Sequence, residues 1–429
     1  MLGRCFWASL LLYIVLALAG CGQDDRVRTS KQTTPNPNPE LVPDNPPQTP
    51  KVIGEFDEEE LLHLPVKSNP GEFMPRPDGR DIAVVLHTTA GEPGEMVLAG
   101  GKKGERFDRV ENLTYSPDSK HLVFEASNGG TYSVDGKYSG GRHFIVLDGQ
   151  VVSADYDQAA QPVFSLDGKL AYLATKDGKP LVIYDDKVLA GNYAALGDLV
   201  FSPNSQRLAY PAQLPAGNWC VVVDGQAGPA FDEVGQPAFS PDSKRFVYAV
   251  RKGAKWSVAV DHKAGAEFDA VRQPRIAPDN KTVGYLANLG GMVGETGKFE
   301  GGKWFVVLGE TRDKRNFDDA NGFAFTPQGF PAFAARTGED WQVVVGDNPG
   351  PKFDRWLGLP IVFSAQGLPA YTAVKDGHLY LAAGMKMWID VESKARPLGP
   401  VWSADGSKVR FIVYYPAVNK FRRQVLDQE

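Results

Sequence analysis

Apolar residues along most of this chain come in short runs set between Gly, Pro, Asn and Asp clusters. After the N-terminus no long stretch shows a 3.6-residue stripe with caps. Trp219-Cys220-Val221-Val222-Val223, Trp304-Phe305-Val306-Val307-Leu308 and Trp341-Gln342-Val343-Val344-Val345 share one form. Runs this rich in β-branched and aromatic residues fit strands covered on both faces by neighbouring sheets. The stretch 236–271 shows a whole unit. Residues 237–240 read as a first strand, 245–250 as a second, 256–260 as a third and 265–271 as a fourth. The pattern predicts an all-β chain.

A phrase of the form aromatic-Ser-Pro-Asp-Ser-Lys separates the first two strands. It is clearest at Tyr115-Ser116-Pro117-Asp118-Ser119-Lys120, Phe201-Ser202-Pro203-Asn204-Ser205-Gln206 and Phe239-Ser240-Pro241-Asp242-Ser243-Lys244. Pro presets φ for a turn and the Asp side chain can bond nearby backbone N–H groups, so each Asp is expected to cap its own turn. The anchor position recurs at Arg76, Ser116, Ser165, Ser202, Ser240, Ala277, Thr326, Ser364 and Ser403. The steps are 40, 49, 37, 38, 37, 49, 38 and 39 residues, the length of one four-stranded propeller blade. Corresponding motifs in the two halves lie 161 to 164 residues apart, the mark of a duplicated four-blade unit.

The fourth strand has its own marker: Phe107-Asp108, Tyr156-Asp157, Phe231-Asp232, Phe268-Asp269, Phe317-Asp318 and Phe353-Asp354. Blades three and eight replace it near Tyr193 and Trp388, and an extra copy, Phe56-Asp57, precedes the first turn. The last repeat stops after three strands, so the expectation is a single closed ring over residues 51–429, completed by an N-terminal strand. Closure removes open sheet edges. The motif count favours nine blades, and eight remains the alternative because four to eight is the usual range. Residues 126–142 and 287–303 lengthen the connection between second and third strands in two blades. Both are Gly-rich, and Tyr132, Tyr138, Arg142, Phe299 and Lys303 within them are candidates for a binding rim. The competing reading is a pair of floppy insertions.

Residues 1–20 have the make-up of an export signal. Arg4 is followed by an apolar core too short to span a bilayer comfortably, and the segment ends in Leu18-Ala19-Gly20 before Cys21. This resembles a bacterial lipoprotein signal. The resemblance implies acylation of Cys21, hence a membrane anchor in the cell envelope, with several acyl chains needed for stable attachment. Gly22 after the Cys favours the outer membrane in a Gram-negative host. Residues 21–50 are Pro-rich and read as an extended tether, reaching roughly 90 Å at about 3.1 Å per residue. Cys5 leaves with the signal, so Cys220 stands alone on an apolar strand as a packing residue. The formal charge of −6 is interspersed, without a basic block, which argues against nucleic acid as a partner.

Recognisable chemistry is sparse. His63, His87, His121, His143, His262 and His378 are scattered without metal-ligand spacing, there is no Gly-x-Ser-x-Gly elbow, and no cofactor is expected. Asp108, Asp157, Asp232, Asp269, Asp318 and Asp354 are candidates for carboxylates around one mouth of the channel, where they would draw a cation or a basic peptide. The bland alternative is that each caps a turn while its aromatic neighbour packs between blades.

The stretch Phe239-Ser240-Pro241-Asp242-Ser243-Lys244-Arg245-Phe246-Val247-Tyr248 resembles the WD40-like, Pro-Asp-type propeller repeat. That repeat occurs in the Tol-Pal translocation protein TolB and in the propellers of the prolyl oligopeptidase and tricorn families. The resemblance covers roughly residues 73–429. It implies a rigid disc that engages a protein or peptide at one face or at the channel mouth. The chain departs from TolB in its lipoprotein signal and in showing no α/β domain ahead of the propeller. The expected function is therefore a lipid-anchored, non-catalytic binding or scaffolding module, its partner an envelope protein, peptide or glycan and its oligomeric state open. The alternative is an envelope hydrolase or lyase whose site is assembled at the channel mouth from several blades.

Overall fold

The computed structural model describes residues 57–64, 69–88, 94–133, 138–153, 156–189, 191–294, 299–384, 386–390, 396–403, 407–416 and 420–427. Among them the strands form nine antiparallel sheets, each a meander of four strand positions. The innermost strands, in blade order, are Asn69–Pro75, Arg109–Tyr115, Gln158–Phe164, Val200–Phe201, Ala238–Phe239, Ala270–Ile276, Asp319–Phe325, Val362–Phe363 and Arg396–Trp402. The ring has nine blades, the higher of the two counts that the motif spacing allows. In the ninth sheet Asp57–His63 lies alongside Lys420–Asp427, with Asp57 opposite Val425 and His63 opposite Lys420.

Side chains that alternate along a strand point to opposite faces, and here each face meets a different neighbour. On the second strand of blade 1, Ile82, Val84 and Leu86 join Ile412, Tyr414 and Phe421 of blade 9. Ala83 and Val85 on the same strand join Leu113, Phe124 and Val146 of blade 2. Nine buried clusters of this kind link the blades pairwise, and the cluster at Ile82 joins last to first. Cys220 is fully buried in the cluster between blades 3 and 4. Burial pushes its thiol pKa up. The aromatic of the Phe-Asp marker also belongs to an interface: Phe317 packs edge-on to Phe333, with ring centroids 5.4 Å apart.

One boundary differs from the sequence expectation. The fourth strand of blade 5 is Lys263–Phe268, and Val271 lies in the inner strand of blade 6, Ala270–Ile276. Asp269 marks the turn between them, its N–H donating to the Asn288 carbonyl (3.0 Å).

The Pro-Asp turns are knit at two levels. Within a turn, the buried Ser240 hydroxyl donates to Asp242 (2.6 Å) and accepts from the Arg245 N–H (3.0 Å); Ser116 and Asp118 repeat the arrangement. The bond from Ser116 helps to hold the Asp118 carboxyl down at about 2. Between blades, the Asp167 N–H donates to Ser205 Oγ (3.0 Å), the Asn204 N–H to Ser243 Oγ (3.0 Å) and the Asp242 N–H to Asn280 Oδ1 (2.8 Å). Ser205, Ser243 and Asn280 adopt φ of 61°, 65° and 60°. Left-handed backbone favours Gly, so a side chain that bonds the neighbouring blade offsets the strain of a non-Gly residue. Ser243→Gly removes only that bond, whereas Ser243→Ala removes it and keeps the strained φ. Chemical denaturation is expected to rank wild type above S243G and S243G above S243A, each step about 1 kcal/mol.

Candidate functional site

In a four-stranded meander the first-to-second and third-to-fourth turns share one end of the blade. The second-to-third hairpins and the blade-to-blade junctions share the other. The Pro-Asp turns therefore form one face of the ring, and the two lengthened connections stand on the opposite face. The described parts of both connections are two-stranded ribbons. In blade 2, Leu122–Tyr132 pairs with Tyr138–Leu147; in blade 6, Val283–Val293 pairs with Phe299–Leu308. Blades 2 and 6 lie four positions apart in a ring of nine, so the ribbons stand nearly opposite one another.

The two ribbons share one construction. Gly140 and Gly141 (φ 75° and 80°) and their counterparts Gly301 and Gly302 (73° and 67°) bend the returning strand. A Cβ on Gly141 would sit 2.6 Å from Gly130 N and from Asn128 O, so the close strand approach requires Gly there. Tyr138 and Phe299 pin the bend by lying over Gly130 and Gly291, where any Cβ would clash with their rings. The Tyr138 hydroxyl accepts the Gly130 N–H (2.9 Å), and Arg109 caps its ring at 5.9 Å. Phe299 packs on Trp304 (5.9 Å). Of the candidate rim residues, Tyr138 and Phe299 are thus half-buried supports. Lys303 is tied to Asp318 across the next junction, and Arg142 is exposed. Tyr132 is 55% exposed. The sequence reading passed over Leu289, Met292 and Val293, of which Met292 is 71% and Val293 67% exposed. The available signal was three large apolar residues within a Gly-rich extension.

The six junction carboxylates each grip a hairpin turn on the same face. Asp108 accepts from Gly129 N–H (2.6 Å), Asp157 from Gly178 (3.4 Å), Asp232 from Gly253 (2.6 Å), Asp269 from Gly290 (2.7 Å), Asp318 from Gly338 (2.7 Å) and Asp354 from Asp376 (2.6 Å). Lys255 also bonds Asp269 (2.6 Å), and Lys303 bonds Asp318. These lysine contacts come first in lowering both carboxyl pKa values. Among the described residues no three His, Cys, Asp or Glu side chains come together as a group able to hold a metal ion. The geometry is that of turn caps.

A second concentration of polar groups lies on the inner strands, each of which kinks once. Asn112, Gln161 and Gln273 occupy the kink at φ of 55°, 53° and 51°. Acceptors reach from one blade to the kinked backbone of the next. Glu72 takes the Asn112 and Leu113 N–H groups (2.8 and 2.9 Å), and Gln273 Oε1 takes the Phe323 N–H (2.8 Å). Glu125 accepts the Gln161 N–H and the Asn112 side-chain N–H (2.6 Å). The other eight blades place Val85, Leu173, Pro211, Ala249, Leu286, Ala334, Thr372 and Ile412 where blade 2 has Glu125. Burial is the largest influence on its carboxyl and pushes it up to about 7 despite those hydrogen bonds, with the charges of Glu111 and Glu72 adding to the rise. Glu72 is raised by burial as well. Only a column-by-column alignment of the repeats exposes Glu125 in the sequence.

No protein-family model matches this chain, and none of the curated proteins does. Solved structures resemble this chain at low identity. A structure described as that of the eukaryotic initiation factor is 10% identical, with 84% of this chain and 91% of that one covered at a TM-score of 0.47. The Dos1 propeller is 11% identical, with 78% and 93% covered at 0.39. The tricorn protease is 12% identical, with 82% and 43% covered at 0.28.

A carboxyl whose folded pKa exceeds its unfolded value favours folding when protonated. The Glu125 contribution is therefore greatest below about pH 4.5, and it is lost as pH rises through about 7. Urea midpoints are expected to fall between pH 5 and pH 8. Glu125→Gln should flatten most of that slope and stabilise the protein at pH 8 by up to about 3 kcal/mol. Parallel pH profiles for the two proteins would count against a proton on Glu125.

Proposed function

We propose that this protein is a lipid-anchored, non-catalytic propeller of the cell envelope that binds a protein or peptide on its hairpin face. One observation carries the reading: two ribbons of matched construction stand on the same face, nearly opposite each other, with exposed apolar residues toward their tips. Rigid scaffolds commonly place binding residues on such projections, and apolar side chains held out in solvent suit a partner that covers them. Support for the address comes from residues 1–20, which resemble a lipoprotein signal, and from Cys21 as the acylation site; both lie outside the described residues. Outer-membrane anchoring follows from Gly22 if the host is Gram-negative. The likeness to TolB rests on the Pro-Asp repeat and supports a peptide- or protein-binding disc.

Chain direction favours the same face. Asp57 is opposite Val425 near the Pro-Asp face, and His63 is opposite Lys420 near the hairpin face. A tether over residues 21–50 then approaches from the Pro-Asp side and leaves the ribbons directed away from the lipid. Asp57–His63 is also proposed as the latch of the ring, since it covers Lys420–Asp427 with a fourth strand and Lys420 bonds Glu60 (2.6 Å).

The test compares the lipidated full chain with a Gly141→Val, Gly302→Val double variant, both recovered from detergent-solubilised envelopes after crosslinking. A partner that the wild type captures should fall at least about tenfold with the variant, because the interface centre carries most binding energy. Equal recovery, with both proteins folded, would overturn the face assignment. Deleting residues 57–63 tests the latch separately: the denaturation midpoint should drop and concentration-dependent association should appear.

A further inference from the structure

The innermost strand of a blade is covered by its second strand and by two neighbouring blades, so exposure along it is exposure to the central channel or, at its last residues, to the channel mouth on the Pro-Asp face. The position just before the last inner-strand residue is half-buried in most blades and carries small or apolar side chains, as at Met74, Val163, Val200 and Ala324. Blade 6 breaks this collar with Arg275, also half-buried. Its recorded partner is the adjacent Pro274 carbonyl (3.0 Å), and no carboxylate among the described residues pairs with it. Burial lowers its pKa and no neighbouring charge contributes. The nearby Arg272 is different: it is paired with Asp319 (2.7 Å), bonds the Ala320 carbonyl (2.8 Å) and lies over Trp304 at 3.9 Å.

Two residues before Arg275, Gln273 accepts the Phe323 N–H at its carboxamide oxygen. That bond fixes the side chain and leaves its N–H donors available. Arg275 offers donors alone by its chemistry. This stretch of wall therefore presents donors and one uncompensated positive charge, surrounded by protein that focuses the field.

We infer that the channel wall of blade 6 is an oxyanion-binding site, with Arg275 and the Gln273 carboxamide as donors for a carboxylate or phosphate group. The site is independent of the hairpin face. The oxyanion has two sources, a free small anion or the C-terminal carboxylate of a peptide entering the channel.

The experiment titrates the full chain at low ionic strength with inorganic phosphate, acetate, acetyl-glycyl-alanine and the C-terminal amide of that dipeptide. Binding is read by calorimetry and by the arginine Nε–H resonance that disappears in Arg275→Met. Met is the residue that blade 1 carries at the same position, and an unchanged melting temperature confirms that the variant folds. Saturable binding by the oxyanions is expected, weakened at least about tenfold in R275M and partly kept in Arg275→Lys. Binding of the dipeptide acid but not its amide identifies a peptide terminus as the source, whereas phosphate alone identifies a free anion. The Gly141→Val, Gly302→Val variant should bind these probes as the wild type does. No saturation up to on the order of 50 mM, or equal binding by R275M, means an adventitious ion only and overturns the inference.

Discussion

Every sheet in this protein is apolar on both faces, and an isolated sheet of that kind has nowhere to hide either one. Each blade therefore depends on the two beside it. Val84 is buried only because blade 9 is present and Val85 only because blade 2 is. A linear stack would leave two apolar end faces in water; a ring leaves none. The cluster that joins Ile412, Tyr414 and Phe421 to Ile82 and Val84 removes both ends at once. Burying a side chain of this size stabilises by about 1.5–3 kcal/mol, so the last interface makes the ring a cooperative object rather than a string of repeats.

That dependence divides the molecule into regions with different freedom. The Pro-Asp face is tied from blade to blade by the Ser205, Ser243 and Asn280 bonds and by Arg207, which donates to the Ser243 and Lys244 carbonyls (3.1 and 2.9 Å). Little there can move without disturbing a neighbour. On the opposite face six junction aspartates hold the hairpins of blades 2, 3, 5, 6, 7 and 8 to their own bases, so such a hairpin can lengthen beyond the clamp without cost to the ring. Blades 2 and 6 use that freedom. Asp108 and Asp269 still grip Gly129 and Gly290 beneath the added residues.

A repeated architecture supplies its own controls. With nine copies of one position in one fold, a residue that departs from the other eight departs for a local reason. Glu125 occupies an interface column that is otherwise apolar apart from Thr372, and it takes over the acceptor role that Asn112 is too short to reach. Arg275 interrupts the channel collar without a counter-charge. Departures that the scaffold does not require are the natural places to look for function.

The fold was largely legible from residue order. Strand runs such as Trp304–Leu308, turn chemistry at Ser240-Pro241-Asp242 and a period near 38 residues are local or periodic properties, and they set the blade and narrowed the count to eight or nine, with nine favoured. The boundary near Val271 was misplaced because one apolar residue suits the end of one blade as well as the start of the next. The sequence could not show which carboxylates are occupied. Asp269 as a free channel-mouth charge and Asp269 as a turn clamp have the same neighbours in the chain, and only the approach of Gly290 and Lys255 distinguishes them. Nor could it separate Tyr138, a pin beneath a bent ribbon, from Tyr132, which is left in solvent. Periodicity along a chain reports which face a residue belongs to. The identity of whatever meets that face depends on how the blades close around the axis.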